Sequence, residues 1–505
     1  VSRLRINRRH FPLIAIAGSL LVIGLLLWVL KQPVSMDDAL RHFTMGKLMA
    51  ERGIFGVRGW SEWFYAGYLH DHIVDPWFLS DVLYIPFTAL PIVRGLQVFS
   101  FMSVALLAAC FAFGMRTLRV NPVISSLLIL LLVLGHEGFT FRLLIGRPFP
   151  LMTALTLLLI LCIIKKRHVF AGLILTALTL LSHLFVFPLG VAFLGIAWLW
   201  LSGKKKDATI LLISSVLGVA AGVLLHPMPF EYLNYMRDIF FQTPFMDFPD
   251  RAVELTTGFG NGGPIFIILA FIILLHFLLI EDRKSKKIDL PVLLFLDVLV
   301  AAFFLQFLLW TRSMDFLWPM MLLLLGMLTT FWDNVFERLD RFLKITKSFS
   351  TVFILMIILC VTTFVPLAMI LYLSEGIRSL QNYERAFSIV ESGAHVLPAQ
   401  WDWFAPSMAV RPDLKFADGI DPMYAYASNS GSYALLAAVL PTRFPETRQL
   451  LDSRRWLTAV LEAYPADYIM LSASRDRPVV QALRLQGLKD VSQSPKWAMF
   501  KIEKR

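Results

Sequence analysis

FPLIAIAGSLLVIGLLLWVLKQPVSMDDALRHFTMGKLMAERG, residues 11–53, is the stretch on which the fold reading turns. Residues 11–30 are an apolar run long enough to cross a bilayer, which takes about 20 residues. Seven residues past its end two carboxylates, Asp37 and Asp38, stand side by side. Such a pair is costly to hold near hydrocarbon unless something uses it. In an aqueous loop it costs little, and acidic residues in a first turn suit the helix dipole. Met36, Leu40 and Phe43 recur at helical spacing, so a helix begins at the pair. Spacing alone leaves both readings open: a functional acid pair, or a solvated helix start.

The chain extends this pattern. Of its 505 residues 57% are hydrophobic and 16% charged, and the mean hydropathy is +0.68. Long apolar runs in that composition define a polytopic membrane protein rather than a soluble domain. The net charge of +11 lies in short clusters between runs, which is topology control and not a nucleic-acid footprint; no nucleic-acid partner is expected. Cys110, Cys162 and Cys360 all fall in apolar runs, so no disulfide framework is expected.

The basic RLRINRRH before residue 11 places the N-terminus in the cytoplasm and makes 11–30 an uncleaved anchor. Further spans are expected at 92–115, 122–137, 148–164, 170–187, 188–201, 208–225, 264–280, 290–310, 317–332 and 350–373, about 11 in all. Pro188 could kink one long helix instead of separating two. Residues 77–90 are apolar but short, bracketed by Pro76 and Pro91, with Asp81 inside; an interfacial or re-entrant piece is expected. With that choice the cytoplasmic segments hold twenty Lys and Arg. The short outer loops hold five: Arg142, Arg147, Arg237, Arg251 and Arg312. This bias turns the first loop (31–91), residues 226–263 and the C-terminal segment outward.

From residue 374 the pattern is that of a small α/β domain. Strands are expected at 395–397, 414–417, 468–471 and 497–502, and helices at 433–440, 449–463 and 478–485. The expected organisation is a transmembrane part over 1–373 and an extracytoplasmic α/β domain over 374–505. No internal repeat is evident, which disfavours a transporter built from duplicated halves.

Segment order then carries a resemblance. SMDDALRHFTMGKLMAERG, VDPWFLSDVLYIPFTAL, FRLLIGRPFPL, HPMPFEYLNYMRD and TRSMDFLWPM, followed by WDWFAPSMA, ADGIDPMYAYA and ADYIML, resemble the GT-C fold glycosyltransferases, bacterial members with a soluble outer domain included. The resemblance implies an enzyme of the inner (cytoplasmic) membrane that transfers a hexosyl or pentosyl group from a polyprenyl-phosphate carrier. The acceptor would be an outward-facing envelope glycan, lipid or protein, reached with inversion. It implies a catalytic carboxylate in the first outer loop, here Asp37, with Asp38 orienting the base or the acceptor. Several members carry a histidine pattern where this chain reads DPWFLSD, a departure that weakens any metal role there.

Transfer from a lipid phosphate also needs cations for the leaving group, best met by arginine. Arg147, Arg312 and then Arg142 are the candidates at outer span ends; the bland alternative is snorkelling. His70, Asp71, His72 and Asp75 could hold a divalent cation (Mg or Mn), with Asp38, His72 and Asp75 as possible ligands, or simply form a polar loop. His42, four residues after Asp38, could tune the acid pair or cap an exposed face. His226 and Glu231 open a loop suited to an acceptor. His183 reads as a hydrogen-bonded structural residue, and Asp297 as facing the interior. Two other functions compete: a transporter or flippase for a lipid-linked saccharide, and a non-catalytic glycan-assembly subunit.

Overall fold

The computed structural model describes residues 11–29, 38–239, 262–280, 290–331, 376–417, 419, 431 and 453–502. Asp37, the loop around Arg251, the expected span at 350–373 and the expected helix at 433–440 lie outside these residues. The chain forms two compact units. One gathers Val1–Leu30, Gln97–Leu224 and Val253–Ser374; the other gathers Lys31–Leu96, Leu225–Ala252 and Glu375–Arg505. A boundary does fall at 374/375, but the first outer loop and residues 225–252 belong with the C-terminal segment.

The first unit is a helical bundle of an integral membrane protein. Four described helices are long and apolar enough to cross a membrane: Ile92–Thr117, His183–Leu201, Lys205–Leu225 and Leu290–Leu309. A fifth would be the pair Pro122–Leu134 and Glu137–Leu144, bent by 74°. Phe149–Ile164 and His168–Leu181 are shorter apolar helices. Met314–Leu328 is buried along its whole length despite Pro319 inside it.

The bend at 135–136 departs from the expected single span over 122–137, and its backbone groups are satisfied locally. Gly135 N donates to Leu131 O at 2.8 Å, Trp318 Nε1 to Leu132 O at 3.2 Å, and Thr140 Oγ1 to Val133 O at 2.7 Å. The carbonyls freed where the first helix stops therefore keep partners, which is what a break at membrane depth requires. The other expected break moves. Ser182, extended at φ −167°, ends helix His168–Leu181, and its hydroxyl accepts from Leu184 N. Pro188 sits in the first turn of Val186–Leu201, where a missing N–H costs nothing. His183 is buried at that break. Asp297 finds a partner on the neighbouring helix, His276 Nε2 at 3.1 Å, and both stay partly exposed.

Close helix crossing rests on small residues. A Cβ on Gly218 would lie 2.2 Å from Gly172 O, and Thr176 Oγ1 donates to Gly218 O at 2.9 Å. Backbone atoms cannot swing aside, so overpacking here costs about 1–3 kcal/mol. Gly218→Ala should lower the thermal unfolding temperature in detergent. Gly190→Ala, with nothing within 4 Å of its Cβ, should leave it unchanged or raise it. Equal behaviour of the two variants would contradict the crossing.

The second unit is built on a four-stranded sheet of order β2-β1-β3-β4, with β1 at His395–Pro398, β2 at Lys415–Phe416, β3 at Tyr468–Ser472 and β4 at Trp497–Lys501. All four lie where the alternation of short apolar stretches places them. β1 pairs in parallel with β2 and β3, and β3 pairs antiparallel with β4. Helices Ser453–Ala463 and Arg477–Leu485 complete the C-terminal part. The first outer loop joins the β2 edge: Phe416 N donates to Trp63 O at 2.7 Å, and Tyr65 N to Phe416 O at 3.0 Å. Trp63 Nε1 reaches Pro412 O at 3.0 Å, and Tyr65 stacks on His395. That loop is thus an extra sheet edge. Its piece at Phe78–Tyr84 is a short helix with Ser80, Asp81 and Tyr84 buried, and it does not span.

Candidate functional site

Helix Asp38–Arg52 opens with Asp38 in its first turn, as the spacing predicts. What the spacing does not show is its burial. Ala39 to Gly46 are all buried, Arg41 and His42 among them. Gly46 makes this possible: a Cβ there would sit 2.8 Å from Asp81 O and 2.9 Å from Tyr84 Cβ, so only glycine lets helix Phe78–Tyr84 approach so closely. The approach sets His42 Nδ1 2.5 Å from Asp81 Oδ1, and the imidazole stacks parallel to Tyr84.

Two buried carboxyl groups follow. Asp75 Oδ1 accepts from Trp60 Nε1 at 3.0 Å and from Trp77 N at 3.1 Å. Neither Asp75 Oδ2 nor Asp81 Oδ2 has a described hydrogen-bond partner. Burial holds Asp81 well above the usual carboxylate range, and the charge of the neighbouring Asp75 pushes it the same way. Burial also raises Asp75, against the Trp77 amide, the pull of His226 and the Trp60 indole. Asp81 therefore keeps a proton beside Asp75 to higher pH than an exposed carboxyl does. The charged or titratable groups around the pair are Asp38, Arg41, His42, His226 and Tyr232.

Asn is the nearest isostere of a protonated Asp81, and it can still accept from His42. Below the unfolded carboxyl range, near about pH 4, both states of the parent are protonated and Asp81→Asn should match it. As pH rises, the unfolded parent gives up a proton that the folded one keeps, so parent stability falls. The variant should then become progressively more stable than the parent between pH 4 and 7. Thermal unfolding across that range measures it, and a gap closing with pH would contradict the retained proton.

Arg41 lies against the same aromatic wall. Its side chain is 1% exposed, and its Nε is 2.9 Å from Asp38 Oδ1. The guanidinium carbon sits 3.9 Å from the Trp77 ring centroid and 4.8 Å from that of Trp60. The Asp38 contact is an ion pair without hydrogen-bond alignment, and no described group accepts from Nε or Nη1.

The remaining first-loop candidates divide. His226, expected on an open acceptor loop, is 3% exposed. Its Nε2 donates to Asp75 O at 2.9 Å while Nδ1 accepts from Met228 N at 3.1 Å. The burial has a physical cause, since Tyr232 stacks on the ring at 4.5 Å. His70 pairs with Asp71 at 2.9 Å on the surface. His72 lies 3.6 Å from Glu231, both open to solvent, with Tyr68 against the imidazole. Among the described residues no three His, Cys, Asp or Glu side chains converge as metal ligands. The expected set Asp38, His72 and Asp75 does not assemble: Asp75 is committed to Trp60 and Trp77, and His72 faces Glu231.

In the helical unit, Arg142 closes helix Glu137–Leu144, with Nη2 2.8 Å from Asp315 Oδ2 and its guanidinium 4.9 Å from the Phe149 ring. Asp315 opens the buried helix Met314–Leu328, and Arg312 sits in the turn Thr311–Ser313 just before it. Arg147 follows Gly146, whose φ of +73° turns the chain between two helices. His136 caps Glu137–Leu144, accepting from Phe139 N at 3.4 Å, and packs edgewise on Trp318. Sequence reading passes over Arg41, Trp60, Trp77, His136 and Glu137, and over the site role of Asp81. For Asp81 the available signal is a carboxylate inside a short apolar segment.

No family model matches the sequence, and no curated protein matches it. Solved structures do. The archaeal oligosaccharyltransferase AglB from Archaeoglobus fulgidus, in complex with an inhibitory peptide and a dolichol-phosphate, aligns over 90% of this chain and 69% of its own. The TM-score is 0.59 at 11% identity. ArnT from Cupriavidus metallidurans, bound to undecaprenyl phosphate, aligns over 95% of this chain and 97% of its own, with TM-score 0.52 and 12% identity. The chain has the GT-C fold of these polytopic membrane proteins.

Proposed function

We propose that this GT-C-fold chain is a membrane glycosyltransferase that moves a sugar from a polyprenyl-phosphate carrier to an outward-facing glycan, lipid or protein acceptor. The observation that carries the reading is the start of helix Asp38–Arg52, where Asp38 is paired with a buried arginine just after the Asp37–Asp38 pair. The two solved structures described above each hold a polyprenyl-type phosphate in their complexes, dolichol-phosphate in one and undecaprenyl phosphate in the other.

The acceptor hydroxyl attacks the anomeric carbon as its proton passes to Asp37. The bond from that carbon to the phosphate oxygen breaks, and its electron pair leaves on the carrier phosphate. One displacement inverts the anomeric centre. Asp38 orients Asp37 or the acceptor. Arg147, Arg312 and Arg142 meet the charge growing on the phosphate, with Arg142 already shared with Asp315. His72 and Glu231, with His70, form the acceptor-facing surface over the buried Tyr68, while His42, Asp75 and His226 build the buried polar layer of the same unit.

The test supplies the purified, lipid-reconstituted protein with radiolabelled polyprenyl-phosphate sugars and an envelope-extract acceptor. Transfer of label supports the reading. Donor binding without transfer, across a panel containing the native pair, would replace it with a carrier or assembly role.

The membrane placement belongs to the same reading: a bacterial inner membrane, about 11 spans, the N-terminus inside and residues 374–505 outside. In a background lacking the native cysteines, Ser388→Cys should react with an impermeant maleimide added to spheroplasts. Ser202→Cys should react only after permeabilisation. The reverse pattern would invert the topology.

A further inference from the structure

A buried arginine usually needs several acceptors, because an uncompensated charge in the interior costs several kcal/mol. Arg41 has the Asp38 carboxylate and two tryptophan faces. Those faces are not free to drift. A single oxygen, Asp75 Oδ1, accepts from both the Trp60 indole and the Trp77 amide. Next along the helix, His42 is bound to Asp81, the buried carboxyl group that neighbours Asp75. Cage and helix thus share one buried polar frame, and Arg41 is the side chain that links it to the outward-lying Asp38, 25% exposed.

We propose that Arg41, clamped between Trp60 and Trp77 by Asp75, is a positioning residue that fixes the Asp38 carboxylate for the transfer reaction. The inference rests on the glycosyl-transfer reading. Arginine suits the task where lysine does not, since its planar fork can stack on two rings and still hold a charged edge beside a carboxylate. The pair exceeds what stability requires. A lone buried ion pair is often no better for stability than apolar packing of the same size. The frame instead holds one charged oxygen in one place beside the adjacent acid.

Two measurements test it. The first is a kinetic double-mutant cycle. Arg41→Lys keeps the charge and loses the planar stack that places it beside Asp38, so kcat should fall about 10-fold, which corresponds to about 1.4 kcal/mol, with both KM values unchanged. On an Asp38→Asn background the same substitution should remove less than about twofold more, because residues acting as a unit are non-additive. Full additivity, or a loss confined to KM, overturns the proposal.

The second measurement needs no activity. Carbodiimide labelling of carboxyl groups, read by mass spectrometry, should find Asp38 slow in the parent and several-fold faster in Arg41→Lys. Trp77→Phe, which narrows the aromatic face, should move it the same way and decides the matter if Arg41→Lys does not fold. Unchanged labelling of Asp38 in the folded variants overturns the clamp. A parent that transfers no sugar but shows the labelling shift retains the clamp and refutes the glycosyl-transfer reading alone.

Discussion

Asp37→Asn is expected to lower sugar transfer by at least about a hundredfold while leaving donor binding unchanged, since one positioned general base contributes about 10²- to 10⁴-fold. Asn keeps the size and one acceptor oxygen but cannot take a proton from the acceptor. The neighbouring residue supports the assignment. Asp38 begins a helix whose next eight residues are buried, and it is paired with Arg41. A carboxylate already engaged with a cation is a poorer base than one beside it, so the proton falls to Asp37 and the orienting role to Asp38. Single-turnover transfer from a pre-bound radiolabelled donor measures the chemical step directly. A loss below about tenfold would move the base elsewhere.

Arg147→Gln should cost about 10²- to 10³-fold in kcat, the scale seen when one preorganised donor to a developing anion is removed. Arg147→Lys should recover only part of it, because a point charge cannot present a fork of donors. Arg147 follows a glycine at φ +73°, a backbone state that β-carbon side chains rarely adopt, so the turn that aims it is built into the chain. Arg142 provides the contrast. Its guanidinium bonds the nearly buried Asp315, and Arg142→Gln would leave that carboxylate buried with a partner removed. Its main effect should be on folded yield. If Arg147→Gln also acts only on yield and spares kcat, the phosphate role fails.

Much of this architecture is legible in the residues themselves. Apolar runs bounded by basic clusters mark helices, and four short apolar stretches mark the strands with errors of one or two residues. The start of helix Asp38–Arg52 is readable from Met36, Leu40 and Phe43. What fails is inference about faces. Arg41 and His42 occupy positions that a polar pattern assigns to solvent, yet they are buried by a helix that arrives forty residues later. Nothing local to residues 38–52 announces Asp81. In the sequence Asp81 is only an argument against a span, although in the fold it is the buried partner of His42. Sequence places the break near 182 at Pro188 instead, because proline is the visible helix breaker. Here an extended serine does the breaking, and the proline falls in a first turn where it is harmless. Sequence ends the span at 137 and reads the following residues as loop; that they form a second helix, Glu137–Leu144, bent back by 74°, depends on the pairing of leftover carbonyls with Trp318 and Thr140, a tertiary matter.

The hydrogen bonds between residues 63–65 and Phe416 set a schedule for biogenesis. The loop is translated some 350 residues before the strand it completes, and at about 5–20 residues per second that is a delay of roughly 20–70 s. Arg41, His42, Trp60, Asp75 and Asp81 can find one another within residues 38–84 as soon as that segment is made. Trp63 and Phe64 cannot, since their partners Pro412 and Phe404 arrive last. Newly made chains therefore carry an aromatic edge that waits for the C-terminal strands, and truncation before residue 416 would leave it a target for quality-control proteases.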